Sequence, residues 1–178
     1  IASGGNYNTV VGDEAGTALT TGDNNVAIGF EALKTEDAHG ENVAVGYQAL
    51  KTQNAGASGL NVAVGYKTGT AVTTGIRNTL IGGLTGDSIT TGQENSIVGY
   101  LSGSALTDAD FNCVLGTQAL ATDTKGSRSI AIGQGALNSQ NFTTSTDSLN
   151  VAVGNHAGLS VTTGVNNVLI GGLAGDAL

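Results

Sequence analysis

Few residues of this chain could do acid–base chemistry, and their placement does not favour a catalytic site. The acidic pairs Glu36 with Asp37 and Asp108 with Asp110 come nearest to the two carboxylates of a glycosidase. Glycosidase carboxylates face each other across a cleft, whereas both pairs fall on predicted turns, where charged side chains are usually solvated. We therefore predict that neither pair is catalytic.

The histidines and the cysteine give no stronger signal. His39 and His156 occupy different columns of the repeat described below, and neither stands in a triad order with a serine or cysteine. The single cysteine, Cys113, excludes an internal disulfide and a CxxC metal site, and small or aliphatic residues fill its place in other repeats. From these residues we predict no catalytic group, no bound metal and no cofactor.

The composition of the chain limits the classes of molecule that it could bind. The net charge of −8 argues against nucleic acid as a partner, because a phosphate binder needs a basic surface. No apolar run approaches the roughly 20 residues of a membrane helix, so we predict no membrane insertion. The glycine-rich segments GGLTGD (82–87) and GGLAGD (171–176) are two copies of one turn and not a phosphate-binding loop. Since the chain has no Met and no signal peptide, we expect a fragment of a longer protein.

The dominant feature is a repeat of 17 residues. NVAIGFEALKTEDAHGE (25–41) is followed at once by NVAVGYQALKTQNAGASGL (42–60), and further variants continue to the end. A glycine closes the first pentapeptide of every copy, at Gly12, Gly29, Gly46, Gly65, Gly82, Gly99, Gly116, Gly133, Gly154 and Gly171. Ten copies with insertions near 52–60 and 138–149 predict a single repeat domain over 1–178.

Each pentapeptide predicts a short strand that is apolar on both faces. The residue before the glycine is aliphatic in all ten copies, and the residue two positions earlier is often aliphatic, so we assign these two to the inside of a coil. The column between them is also apolar throughout, and we assign it to the outer face: Val10, Ala27, Ala44, Ala63, Leu80, Ile97, Val114, Ala131, Ala152 and Leu169. A strand apolar on both faces is buried on both, so this column predicts an oligomer.

The repeats divide into two types after the strand. Four copies have Leu at the fourth position past the glycine, at Leu33, Leu50, Leu120 and Leu137, with a polar residue three further on. The other six have Gly there and an aliphatic residue three further on, at Leu19, Val72, Ile89, Leu106, Val161 and Leu178. We interpret this exchange as one large aliphatic side chain per coil, supplied from either of two places to one core space.

Asparagine opens nine of the ten pentapeptides, at Asn8, Asn25, Asn42, Asn61, Asn78, Asn95, Asn112, Asn150 and Asn167. Stacked strands lie about 4.8 Å apart, so these amides predict a hydrogen-bonded ladder along one corner. The fold class we predict is all-β: a parallel β-solenoid (β-roll or β-helix) of ten 17-residue coils, forming a rod about 48 Å long.

Two features could contact another molecule. Phe30, Tyr47 and Tyr66 follow the glycine on consecutive coils and predict an aromatic stack, which either stabilises the rod or offers a platform for sugar rings. The insertion at 138–149 contains Asn141 and Phe142, and insertions in repeat proteins often mark a binding face, although simple loop drift remains an alternative. We take Asn141, Phe142, Tyr47 and Tyr66 as candidate receptor contacts.

The repeat resembles sequences of known fibrous proteins. NVAIGFEALKTEDAHGEN and NTLIGGLTGDSITTGQEN resemble the NTAIGYxAL…TTGxxN repeats of bacteriophage tail-fibre proteins over residues 8–178. They are also similar to the NSVAIG head repeats of trimeric autotransporter adhesins, which form left-handed β-rolls packed as trimers. Only RSIAIG (128–133) approaches the adhesin form, so the phage form fits better.

The resemblance implies a homotrimeric segment of a phage tail fibre in the virion. Such a segment is a rigid spacer and a surface for attachment to a host glycan or protein receptor, without enzymatic activity. The alternatives are the head of a bacterial adhesin at the cell surface, a polysaccharide depolymerase and an ice-binding solenoid. The last would use flat Thr arrays, but the Thr-Thr pairs of this chain occupy four non-consecutive coils.

Overall fold

The structure is a computed structural model that describes residues 4–176 as a parallel β-solenoid. The strands are β1 (Thr9–Val11), β2 (Val26–Ile28), β3 (Val43–Val45), β4 (Val62–Val64), β5 (Thr79–Ile81), β6 (Ser96–Val98), β7 (Cys113–Leu115), β8 (Gly126–Ser127), β9 (Ile130–Ile132), β10 (Thr146–Asp147), β11 (Val151–Val153) and β12 (Val168–Ile170). Over these residues there is no helix long and apolar enough to cross a membrane.

Ten of the strands form one parallel sheet in the order of the chain, β1 to β7, then β9, β11 and β12. Each strand is paired so that equivalent repeat positions stack, as Ala27 does with Ala44 and Ala44 with Ala63. The remaining pair, β8 with β10, is a small second sheet in which β10 belongs to the 138–149 insertion. The ten coils predicted from the glycine spacing are therefore confirmed.

The orientation that we predicted for the strands is wrong. The central residue of each strand points into the coil: Ala27, Ala44, Ala63, Leu80, Ile97, Ala131 and Ala152 have no exposed surface. The flanking residues, such as Val26 and Ile28, lie on the outside. The coil interior is narrow and already holds a large aliphatic from its other side, so it often has room for no more than Ala at the strand. The branched residues are left for the outer face.

The predicted exchange of core aliphatics is confirmed within the described residues. Leu33, Leu50, Leu120 and Leu137 are fully buried, and so are Leu19, Val72, Ile89, Leu106 and Val161, with at most 5% of their surface exposed; Leu178 lies outside the described part. The leucine position and the aliphatic position three residues after it compete for the same space in the core. A Cβ built on Gly86 would lie 2.8 Å from Cδ1 of Ile89, and one on Gly16 would lie 2.8 Å from Cδ1 of Leu19.

The glycine that closes each pentapeptide is fixed by backbone shape and by the coil above it. Gly46 has φ of 136°, and a Cβ on it would lie 2.2 Å from the carbonyl oxygen of Gly65. Side chains are disfavoured by both facts. The column of glycines therefore allows the backbones of successive coils to approach each other at this corner.

Candidate functional site

The outer face of the ten-stranded sheet is a largely apolar surface that runs along the rod. It consists of the first and third residues of each strand, and most of them are aliphatic. Several are strongly exposed: Val11, Ile81, Leu115, Ile130, Val168 and Ile170. We call this surface the outer strand face. The free Cys113 lies on it, exposed, at the first position of β7. A contiguous apolar strip along a soluble protein usually marks an interaction surface.

The predicted aromatic stack is present. The ring of Phe30 lies 5.3 Å from that of Tyr47, and Tyr47 lies 5.4 Å from Tyr66, with interplanar angles of 21° and 16°. The rings remain partly exposed, at 37%, 42% and 52%. Tyr47 and Tyr66 therefore keep an edge accessible to another molecule while stacking stabilises neighbouring coils.

The 138–149 insertion is more ordered than the sequence suggests, and Phe142 is not an exposed contact. Its side chain is 7% exposed and packs on Gly126, where an added Cβ would lie 2.8 Å from the ring. Its N–H donates to Oδ1 of Asp123 at 3.0 Å. Asn141 is half-buried, and its Oδ1 accepts a hydrogen bond from Thr124. An aromatic residue in a polar loop is driven inward by the same hydrophobic effect that builds the core.

The exposed residues of this insertion are its tip, 143–145, together with Asp147 and Leu149. Beyond the tip, Thr146 and Asp147 pair with β8, and Ser148 is buried. Trimming the whole insertion would therefore remove packed and hydrogen-bonded residues. The other insertion is less anchored: residues 56–58 are exposed, and a Cβ on Gly56 would meet nothing within 4 Å.

The asparagine ladder is present along the corner that precedes each strand. Oδ1 of Asn25 accepts the backbone N–H of Asn42 at 3.0 Å, and Oδ1 of Asn61 accepts that of Asn78 at 2.8 Å. The side-chain amide also donates to a carbonyl within the corner, as from Asn78 to Gly92 at 2.9 Å. Each buried amide thus satisfies backbone groups of two coils. Its role is structural, and it leaves no row of free donors for a ligand.

A second polar column, which sequence reasoning did not place in the interior, lines the same corner. Glu36, Gln53, Asp123 and Gln140 are the polar residues that follow the core leucines, and none has exposed surface. Gln53 accepts a hydrogen bond from Asn61 at 3.1 Å, and Gln140 accepts one from Asn150 at 2.8 Å. The signal in the sequence was their fixed position three residues after each core leucine.

Glu36 differs from the rest of this column because its carboxylate is poorly satisfied. Oε1 of Glu36 accepts the backbone N–H of His39 at 3.2 Å, while Oε2 is buried without a hydrogen-bond partner. Burial raises the pKa of Glu36, more than the hydrogen bond and the nearby His39 lower it. Nδ1 of His39 is also buried without a hydrogen bond, 3.6 Å from Oε1. The prediction that this acidic pair is solvated on a turn is wrong for Glu36.

Among residues 4–176, one group of at least three His, Cys, Asp or Glu side chains could hold a metal ion, and it consists of Glu36, Asp37 and His39. One donor atom from each lies within 4.8 Å of the others. His156, in contrast, lies at Gly135, where an added Cβ would meet its Cδ2 at 2.4 Å. The imidazole ring of His156 therefore packs directly against Gly135.

The other acidic pair is held in structural bonds. Oδ1 of Asp110 accepts the N–H of Gln93 at 2.8 Å, and Oδ2 of Asp108 lies 3.2 Å from Nζ of Lys125. Burial works against the charge of Asp108, but hydrogen bonds from Lys125 and Thr107 outweigh it and lower the pKa. The lowered pKa of Asp108 favours its ionised form, whereas a glycosidase acid must hold a proton.

A charged cluster spans three coils beside the aromatic stack. Glu31 contacts Lys34 at 2.6 Å and Lys51 at 2.7 Å, and Lys34 also pairs with Glu14. Hydrogen bonds from Lys34, Lys51 and Gln48 lower the pKa of Glu31 to about 2. The cluster joins neighbouring coils and neutralises most of its own charge.

Comparison with known proteins gives no matching family model, no matching curated protein and no matching solved structure. The resemblance to fibre and adhesin repeats therefore depends on the residues of the repeat alone.

Proposed function

We propose that this chain is a non-enzymatic, rigid segment of a homotrimeric phage tail fibre, which serves as a spacer and as a surface for host attachment. The observation that carries the proposal is the outer strand face, an apolar strip that follows the rod over all ten coils. The repeat pattern supports the assignment to a fibre.

A second copy of the chain is the best occupant of the outer strand face. The strip carries at least one outward aliphatic residue at every strand, and neighbouring strands lie about 4.8 Å apart. A second solenoid of the same sequence carries the same spacing, so its side chains can interdigitate along the whole length. Closed symmetric assemblies bury one patch on every subunit without leaving an open edge. The proposed number of subunits, three, comes from the resemblance to trimeric repeat proteins.

Attachment would use surfaces that assembly leaves free. The exposed edges of Tyr47 and Tyr66 carry hydroxyl groups that can form hydrogen bonds to a sugar, and the tip at 143–145 offers further hydroxyl groups. Each contact would be weak, and three copies held at one height would multiply it by avidity. The stiffness of the rod then sets the distance between these contacts and the rest of the fibre.

The assembly is tested by light scattering on the wild type and on two single variants. Val45→Glu places a charge on the outer strand face, where the cost of desolvating it should prevent association. Ser58→Glu adds the same charge on an exposed loop and should leave the trimer intact. A wild-type monomer, or a Val45→Glu trimer, would contradict the proposal.

The biological setting needs its own experiment. Antiserum against the rod should label the tail of a phage particle under the electron microscope, and labelling of a bacterial surface would instead support the adhesin head. Incubation of the rod with capsular polysaccharide should release no oligosaccharides. Release that survives purification of the assembled rod would favour the depolymerase.

A further inference from the structure

We propose that Glu36, Asp37 and His39 bind a divalent transition-metal cation, such as Zn²⁺, which fastens the corner between the second and third coils. Two donor atoms at this corner, Oε2 of Glu36 and Nδ1 of His39, are buried without any hydrogen-bond partner. This inference departs from the sequence-based expectation that the chain binds no metal.

The comparison with Asp123 shows what Glu36 lacks. Asp123 takes the same place in its own coil, and its carboxylate accepts hydrogen bonds from the N–H groups of Gly126 and Phe142 and from the amide of Gln140 at 2.6 Å. Glu36 receives one backbone N–H, from His39. At the Glu36 corner, Gln53 takes the place of Gln140, but its Nε2 is buried without a hydrogen-bond partner, and His39, at the place of Gly126, presents an imidazole nitrogen. A buried carboxylate without donors is costly unless a cation compensates it.

The donor set selects the class of cation. One imidazole nitrogen and two carboxylates suit Zn²⁺ and similar first-row ions, whereas Ca²⁺ and Mg²⁺ take oxygen ligands. Nδ1 of His39 and Oε1 of Glu36 are 3.6 Å apart, close to the separation of two atoms that share one Zn²⁺ at about 2.0–2.2 Å. Bidentate binding through Oε1 and Oε2 would let Oε1 keep the backbone N–H of His39. Asp37 is half-buried beside them, and water would complete the coordination.

The site would couple the ion to the asparagine ladder. The carbonyl oxygen of His39 accepts a hydrogen bond from the Asn25 amide at 3.2 Å. Fixing the ring of His39 therefore also fixes a carbonyl on which the corner of the preceding coil depends. Binding to the folded chain alone would raise its thermal stability.

The chain itself supplies variants that should fold. Gln53 and Gln140 stand buried at the place of Glu36 in their coils, so Glu36→Gln has a precedent. Ala109 stands at the place of His39, so His39→Ala has one as well. Asp108→Asn, in the other acidic pair, serves as the control. Circular dichroism and light scattering verify that each variant keeps its fold and assembly.

The test is equilibrium dialysis of the full chain against Zn²⁺, followed by elemental analysis and X-ray absorption. We expect one ion per wild-type chain, with a single imidazole in its coordination shell. Added Zn²⁺ should also raise the thermal stability of the wild type. Loss of an outer-shell partner already weakens metal binding about 10–100-fold, so Glu36→Gln and His39→Ala should each weaken it by at least about tenfold. Asp108→Asn should bind like the wild type. No stoichiometric binding, or binding by Glu36→Gln or His39→Ala as tight as that of the wild type, would overturn the proposal.

Discussion

Exchanging the two core positions of one coil tests how the solenoid is filled. In the third coil, Leu50 is fully buried in a left-handed backbone conformation, with φ of 47°, and Gln53 is buried three residues later. In the next coil the corresponding pair is Gly69 and Val72. The variant Leu50→Gly with Gln53→Leu therefore converts one type of coil into the other. If both types fill one space, the double variant should fold with little loss.

The expected free energies of unfolding follow from the contacts. Leu50→Gly leaves a cavity that costs about 2–5 kcal/mol, from which relief of the left-handed Leu backbone returns about 1–2 kcal/mol. Gln53→Leu alone overfills the coil and costs about 1–3 kcal/mol. It also removes the acceptor of the Asn61 amide, but that amide keeps its hydrogen bond to Gly75 at 2.9 Å. The double variant should lie within about 1 kcal/mol of the wild type, a coupling of about 2–3 kcal/mol.

Urea unfolding of the four proteins at one equal concentration measures this cycle. Equal concentrations are needed because assembly contributes to the stability of an oligomer. Circular dichroism follows the solenoid, and light scattering shows whether all four proteins have the same mass. A double variant no more stable than Leu50→Gly would refute the idea that the two positions share one space.

Three further predictions concern the corners and the charged groups. Asn78→Ala should lower the free energy of unfolding by about 1–3 kcal/mol, because it leaves the N–H of Asn95 and the carbonyl of Gly92 without partners. Asn78→Asp keeps the acceptor but sets a buried carboxylate against the oxygens of Gly92 and Asn61, so urea unfolding should show a loss at least as large. With a chelator present to remove metal ions, the raised pKa of Glu36 means that the unfolded chain releases a proton above pH 4.5 while the folded chain retains it. The free energy of unfolding should therefore fall as pH rises, and Glu36→Gln should reduce this dependence on pH. The lowered pKa of Glu31 acts in the opposite sense: its contribution is complete above pH 4.5 and is lost as pH falls toward 2, so Glu31→Gln should reduce acid sensitivity in thermal unfolding at pH 2–5.

The sequence predicts the number of coils, their register and the asparagine ladder well because each is a repeated pattern read ten times. The choice of inner and outer strand face was harder. The polarity signal was weak: the outer face includes Thr9, Thr79 and Ser96, whereas the central column is apolar in all ten copies. The deciding fact is the space left by Leu33 or Leu50 on the opposite wall. That space is a property of the closed coil and not of the strand.

Two buried residues outside the strands were also hard to predict. Phe142 and Glu36 each lie where a loop should be exposed, yet both are buried. Phe142 is turned inward because Gly126 leaves a gap above it, and Glu36 is turned inward because its position follows a core leucine. Both causes involve contacts with other parts of the coil stack, which local composition does not reveal.

The reactivity of Cys113 tests the central claim most directly. Its thiol is exposed on the outer strand face of the single chain, so assembly through that face should bury it and slow its reaction with a thiol reagent. The account predicts a species of three times 17.5 kDa in which Cys113 reacts slowly, and fast reaction once Val45→Glu has separated the chains. A trimer whose Cys113 reacts as fast as that of the separated chains would place the interface elsewhere and contradict the account.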